Sequence, residues 1–207
     1  MAAANVAEAR RLGECFPDHL LCGEEGGLPP EGFAYGNSPV EFSRADLTGK
    51  PVILATSNGT RILAALAKDA PVVMAGCLLN RKAVARAALA IASERGLDIA
   101  VVCSAAHGGT RFVLEDALGA AAIVDAALAA DPALEATDAA RFGRDAFAVA
   151  AEDIGAAVRS AYHAEELVEI GLGDDVAFCS QLDVSDLAPV MDIEGDGTLV
   201  LRAWKAG

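Results

Sequence analysis

Apolar residues recur along this chain with two periods, and each change of period marks an element. Val6, Ala9, Leu12 and Cys15 share one face of a helix expected over residues 5–15. Pro17 and Asp18 then turn the chain into a short strand at 19–22, which Gly23-Glu24-Glu25-Gly26-Gly27 closes. Residues 28–42 have no period, and a structureless connection of that length reads as a functional loop, anchored by Phe33, Tyr35 and Phe42. From Lys50 the pattern is regular: strands at 52–55, 72–75 and 99–103 alternate with helices at 60–68, 80–94 and 114–129.

That alternation predicts βαβ crossovers, hence an α/β fold with a largely parallel sheet. A helical region at 137–162, carrying Phe142, Phe147, Ile154 and Val158, and a further helix at 163–170 follow. The tail, 187–193 and 198–204 around Glu194-Gly195-Asp196-Gly197, reads as a β-hairpin. Ligands of parallel sheets bind beyond the carboxyl ends of the strands, so the turns at 56–60, 76–80 and 104–110 are expected to converge on one edge.

The stretch Leu54-Ala55-Thr56-Ser57-Asn58-Gly59-Thr60 organises the rest. A strand feeds a turn crowded with hydroxyl and amide groups and then a helix start, which offers an anion roughly half a positive elementary charge together with unpaired N–H groups. It reads as a cradle for an oxyanion, although Asn58 or Thr60 could cap a helix with no ligand.

Composition narrows the setting. Of 207 residues, 54% are hydrophobic and 22% charged, which suits a sizeable core, and no apolar run reaches membrane-span length. The N-terminal segment carries charge early and lacks a leader's apolar core, so the expected location is the cytoplasm. Five cysteines without regular spacing fit reduced thiols, and Cys15, His19 and Cys22 lack the fourth ligand of a zinc site. A net charge of −14 argues against nucleic acid and anionic membrane as partners. An anionic ligand would then need local positive potential from helix starts, arginine and a divalent metal.

Several motifs fall away. Asp196-Gly197-Thr198 imitates an aspartate-nucleophile phosphatase signature, but Glu194 holds the nucleophile's position and too few residues follow. The same acids imitate the start of a calcium loop, yet Ala203 stands where a bidentate Glu is needed. There is no phosphate loop, no serine-hydrolase elbow and no dinucleotide fingerprint, which disfavours an oxidoreductase. His107 lies in a glycine-flanked loop and is read as incidental. Glu115 and Asp116 open a helix, where acids favour the dipole, and their hard oxygens also suit Mg²⁺.

Taken in order, Leu21-Cys22-Gly23-Glu24-Glu25-Gly26-Gly27, Glu31-Gly32-Phe33 through Gly36-Asn37-Ser38-Pro39, Thr56-Ser57-Asn58-Gly59-Thr60-Arg61, Leu79-Asn80, Phe112 through Leu114-Glu115-Asp116, and Asp183 through Pro189-Val190 span nearly the whole chain. As a set they resemble the 2-phosphosulfolactate phosphatase (ComB-like) family. The resemblance implies a single domain over 1–207 with a three-layer α/β/α fold and a mixed sheet. It also implies a Mg²⁺-dependent hydrolysis of 2-phosphosulfolactate to sulfolactate and phosphate, on the way to coenzyme M. Family members begin earlier, with a strand and helix bearing Asp-Val-x-Arg-Ala-Thr/Ser, so the chain is expected to be N-terminally truncated. Loss of that strand would expose a sheet edge for homo-oligomerisation to cover. Glu25 replaces the arginine of a Gly-Glu-Arg motif, and Ala34 or Tyr35 replaces an acid.

The expected roles follow. Asn58, Thr60, Arg61 and Glu24 are the catalytic set, with Thr56, Asn58, Thr60 and Arg61 on the phosphoryl oxygens of a small anionic phosphate ester. Asn37, Ser38, Thr56, Ser57 and Asn80 bind substrate, and Glu24 with Glu115 or Asp116 holds the metal or its water. No residue stands out as a covalent nucleophile, so water is expected to attack directly. The alternative is a catalytically impaired member that binds an anion or a protein partner.

Overall fold

Small apolar residues set the spacing of the first elements. The computed structural model describes residues 1–106 and 110–205. These divide into two compact units, the first built from Met1–Val73 with Val190–Arg202, the second from Met74–Ala105 with Thr110–Pro189.

In the first unit, β1 (Ala2–Ala3), β2 (Leu20–Gly23) and β3 (Val52–Ala55) form a parallel sheet of order β1-β3-β2. Helices α1 (Val6–Cys15) and α2 (Pro39–Arg44) lie within the crossovers, and α3 (Gly59–Leu66) follows β3. Asn5 starts α1 by accepting the Glu8 N–H at 2.9 Å, while Glu8 reaches back to the Ala4 N–H at 2.7 Å. Ala9 and Leu12 of α1 pack on Ala3, Ile53 and Ala55. Three alanines there let helix and strands approach closely. At the end of β2, Gly23 has φ +143°, and a Cβ on it would meet Ala55 O at 1.9 Å.

The second unit is helical. It contains α4 (Arg81–Arg95), α5 (Leu114–Ala130), α6 (Asp138–Ala150), α7 (Ile154–Arg159), α8 (Tyr162–Glu169) and α9 (Gly173–Cys179). Its core joins Leu78, Leu118, Ala121, Phe147, Val158 and Val176, and α4 meets α5 through Ala85, Ala126 and Ala127. The tail forms the expected antiparallel hairpin, β4 (Pro189–Ile193) and β5 (Leu199–Ala203). Among the described residues no helix is long and apolar enough to cross a membrane.

The α/β class and the parallel sheet agree with the periodicity, and three details differ. Residues 99–103 form no strand: Ile99, Val101 and Val102 are exposed, and the described backbone around them offers no ladder partner. Residues 72–75 make two isolated bonds, Met191 N–H to Val73 O at 2.9 Å and Ala75 N–H to Pro189 O at 3.0 Å. These two bonds bracket Met74 as a single bridge, too short for a strand, whereas 99–103 has strand propensity without a described neighbouring backbone. The helical region at 137–162 breaks at Asp153, whose carboxylate caps the Ala156 N–H at 2.8 Å and restarts the helix as α7.

One ionic cluster ties the second unit together. Arg81 donates to Asp183 at 3.0 Å and to Asp125 at 3.0 Å, with its guanidinium over the Phe147 ring at 5.2 Å. Burial pushes the Asp183 carboxyl up, but the Lys82 backbone N–H, the Lys82 side chain and Arg81 outweigh it and hold it below its ordinary 3.8. Arg81→Ala, which leaves Asp125 without its partner and Asp183 with Lys82 alone, is expected to cost about 1–3 kcal/mol, read as a lower urea midpoint. The pH dependence has a definite sign. A depressed folded-state value stabilises fully above the unfolded value and is lost as pH falls through the folded one. Asp183→Asn should therefore flatten the acid limb of the urea midpoint as pH falls below about 5.

Candidate active site

Between β3 and α3 the turn Thr56-Ser57-Asn58-Gly59-Thr60 is locked from within. The Thr56 N–H donates to Thr60 Oγ1 at 3.0 Å, and the Thr60 N–H donates to Thr56 Oγ1 at 3.2 Å. Thr60 Oγ1 also donates to Thr56 O at 3.2 Å, and Thr60 is buried. These two threonines therefore shape the turn and have little left for a ligand.

Ser57 is held from outside. Glu24 Oε1 accepts its N–H at 2.6 Å, and Oε2 accepts its hydroxyl at 3.0 Å together with the Gly27 N–H at 3.1 Å. Glu24 reaches that position because its own N–H continues the β2–β3 pairing, donating to Ala55 O at 3.0 Å. Three donors remain. The N–H groups of Asn58, Gly59 and Arg61 find no acceptor among the described residues, and the Asn58 amide makes no capping bond. The exposed Arg61 guanidinium has no described ion pair.

A recess of about 260 Å³ opens beside this turn, lined by Ala4, Asn5, Val6, Glu24, Glu25, Thr56, Ser57 and Arg61. Asn5 and its neighbours were not among the expected site residues. Their sequence signal is the helix-start pattern Asn5-x-x-Glu8, which places the first turn of α1 but says nothing of what it faces.

The remaining expected residues fall as follows. Asn37 is exposed where the chain leaves Tyr35 and Gly36, whose carbonyls share the Gly23 N–H at 3.2 and 3.0 Å. Ser38 caps α2 by accepting the Glu41 N–H at 3.0 Å. Asn80 belongs to the second unit and is buried with its amide engaged. Its Oδ1 accepts the Cys77 N–H at 2.8 Å, and its Nδ2 donates to Leu187 O at 3.0 Å and Ala75 O at 3.4 Å. Asp116, also in the second unit, accepts from Ser104 Oγ at 2.9 Å and from the Ala105 N–H at 2.7 Å. It braces a turn in which Ala105 takes φ +54°. His107 lies outside the described residues.

The donor set suits a hard cation in part. No three His, Cys, Asp or Glu side chains cluster among the described residues. Mg²⁺ needs fewer, since it keeps several waters and takes one or two carboxylates. Among the described residues Glu24 Oε1 accepts one hydrogen bond, which leaves it a lone pair, and Glu25 lines the same recess. In the second unit Glu115 Oε2 is buried without a partner among the described residues, an orphaned oxygen that a cation would satisfy.

Comparison with known proteins points to one family. The family model described as 2-phosphosulpholactate phosphatase matches residues 1–194. A probable 2-phosphosulfolactate phosphatase of Deinococcus radiodurans is 40% identical over 183 residues, covering 88% of this chain and 73% of that protein. One of the same name from Pseudothermotoga lettingae is 36% identical, covering 89% and 75%. A third, from Symbiobacterium thermophilum, is 32% identical, covering 94% and 80%.

The turn's internal lock gives a stability prediction. Thr60→Val keeps the shape of the side chain but leaves the Thr56 N–H without its acceptor. It is expected to cost about 1–3 kcal/mol, measured as a fall in the urea midpoint, whereas Ser57→Ala, at an exposed position, should cost less.

Proposed function

Since this chain belongs to the 2-phosphosulpholactate phosphatase family, a family of phosphoric monoester hydrolases, we propose that it hydrolyses 2-phosphosulfolactate or a similar small anionic phosphate ester with the help of Mg²⁺. The observation that carries this reading is the Thr56–Arg61 turn, rigid in its threonines and open in its remaining donors.

In this mechanism the N–H groups of Asn58, Gly59 and Arg61, the Asn58 amide and the Arg61 guanidinium bind the phosphoryl oxygens. They are fixed before the reaction, so charge that develops on those oxygens meets donors already aimed at it. The guanidinium fork suits two oxygens at once. Thr56 and Thr60 hold the donors in register. Water attacks phosphorus in line with the ester oxygen, the bond from phosphorus to that oxygen breaks, and the departing alkoxide takes up the proton that the attacking water gives up. The products are sulfolactate and inorganic phosphate. When bound, magnesium supplies a Lewis acid that screens phosphoryl charge. Glu24 is the residue of the first unit that would hold it; the partnerless Glu115 Oε2 of the second unit is a separate candidate oxygen. The reading places the protein in the cytoplasm, forming sulfolactate on the route to coenzyme M, with a homo-oligomer as its working form.

Phosphate release from a panel containing 2-phosphosulfolactate, phospholactate and a monoester of an uncharged alcohol tests it directly. Release is expected to require Mg²⁺, and Arg61→Ala is expected to lower kcat/KM about 100-fold, the cost of one oxyanion donor. Release indifferent to Mg²⁺ would remove the metal from the mechanism. No release from a folded chain would leave an anion-binding protein.

A further inference from the structure

Glu24 puts one oxyanion into the turn that the proposed reaction reserves for another. Its two carboxylate oxygens take the Ser57 N–H at 2.6 Å and the Ser57 hydroxyl at 3.0 Å, the paired contact that two phosphoryl oxygens would make with the same residue. Gly27 adds a third donor at 3.1 Å. The fit is close because Glu24 N–H is pinned to Ala55 O, one residue before the turn begins. Charge points the same way. Among the described residues that line the recess, the charged ones are Glu24, Glu25 and Arg61, so an incoming phosphate dianion meets two acids and one base there. A divalent cation reverses that balance, and the free lone pair on Glu24 Oε1 gives it a point of attachment.

We propose that Glu24 is an internal stand-in for the phosphoryl group: its carboxylate closes the Ser57 donors until a divalent cation draws it away, so that cation and oxyanion bind cooperatively. This rests on the Thr56–Arg61 turn being the phosphoryl cradle. By linkage, the factor by which Mg²⁺ tightens phosphate equals the factor by which phosphate tightens Mg²⁺. Ser57 is then a ligand of the phosphoryl group in the loaded state and a ligand of Glu24 in the resting one. Glu24 acts as a positioning residue that sets the order of binding.

The test uses inorganic phosphate and Mg²⁺ on the full chain, with calorimetric titration for affinity and the backbone amide resonances for location. In the wild-type protein, saturating Mg²⁺ is expected to tighten phosphate at least about tenfold, within the usual range of coupling between sites. Glu24→Gln keeps the shape and one acceptor but removes the charge. It should bind phosphate without metal at least about tenfold tighter than wild type and lose most of the Mg²⁺ dependence. Metal-free phosphate binding no tighter in E24Q than in wild type, or an unchanged Mg²⁺ factor, overturns the proposal.

Mg²⁺ alone, titrated into the wild-type chain, gives a reading that needs no variant. The Ser57 amide proton should move upfield as its short hydrogen bond to Glu24 is lost. A Ser57 resonance unmoved at saturating Mg²⁺ also overturns the proposal. Two failures are separable. If Mg²⁺-dependent turnover is present while E24Q leaves the coupling intact, only the stand-in role falls. If phosphate shifts resonances elsewhere and leaves Ser57, Asn58 and Arg61 untouched, the cradle itself is misplaced and both readings fall.

Discussion

At the ends of β2 and β3 two backbones approach so closely that a methyl group on Gly23 would sit 1.9 Å from Ala55 O. The absence of a side chain there lets the parallel pairing run one residue past the strand, with Glu24 N–H on Ala55 O at 3.0 Å. Any larger residue would push the strands apart and take Glu24 with it. That single close approach sets where the Glu24 carboxylate lies, and the carboxylate in turn sets which donors of the next turn are filled. Burial on either side fixes the rest: Ile53 and Ala55 are wholly enclosed, and Ala3 and Ala9 bring β1 and α1 down onto them. The chemistry of the first unit is thus an outcome of packing at the strand ends.

A chain with net charge −14 is an unfavourable host for an oxyanion, and in the proposed reading the turn answers this locally. Its free donors are main-chain N–H groups, an amide and one guanidinium, none of which depends on the surface potential of the whole molecule. Filling the Ser57 donors with Glu24 has a second consequence. Ser57 is exposed, so water would otherwise take its donors, and the contact fixes their direction rather than rescuing buried groups. Together with the Gly27 N–H, those contacts tie the turn to the end of β2.

Much of this was legible in the amino-acid sequence, and the limits have physical causes. The helices at 60–68, 80–94 and 114–129 fall within a few residues of α3, α4 and α5, because a helix closes its own hydrogen bonds and its period records one buried face. Of the strands at 72–75 and 99–103, the first shrinks to a bridge at Met74 and the second does not form, because a strand's bonds belong to a neighbour that no local pattern names. Two-residue β1 is the converse: Ala2 and Ala3 carry no periodic signal, yet they pair with Leu54 and Ala55 because β3 lies there to receive them. The Thr56–Arg61 turn was identifiable from composition and context, whereas the hold of Glu24 on Ser57 spans 33 residues and has no counterpart in spacing.

Asn58 and Asn80 show why residue type alone does not separate a ligand from a scaffold. Both are asparagines at the start of a helix following an apolar run, and both invite the same reading. Asn80 is buried and its amide is consumed, chiefly by Leu187 O from 107 residues further along the chain. Asn58 is only half-buried, caps nothing, and keeps its amide and its N–H available. Asp116 and Glu115 divide in the same way, one occupied by Ser104 and Ala105 and the other holding a buried oxygen with no described partner. In each pair the difference lies in which polar capacity tertiary structure has already used. A binding residue is therefore defined by what the fold leaves unspent on it, and that remainder depends on contacts between distant segments.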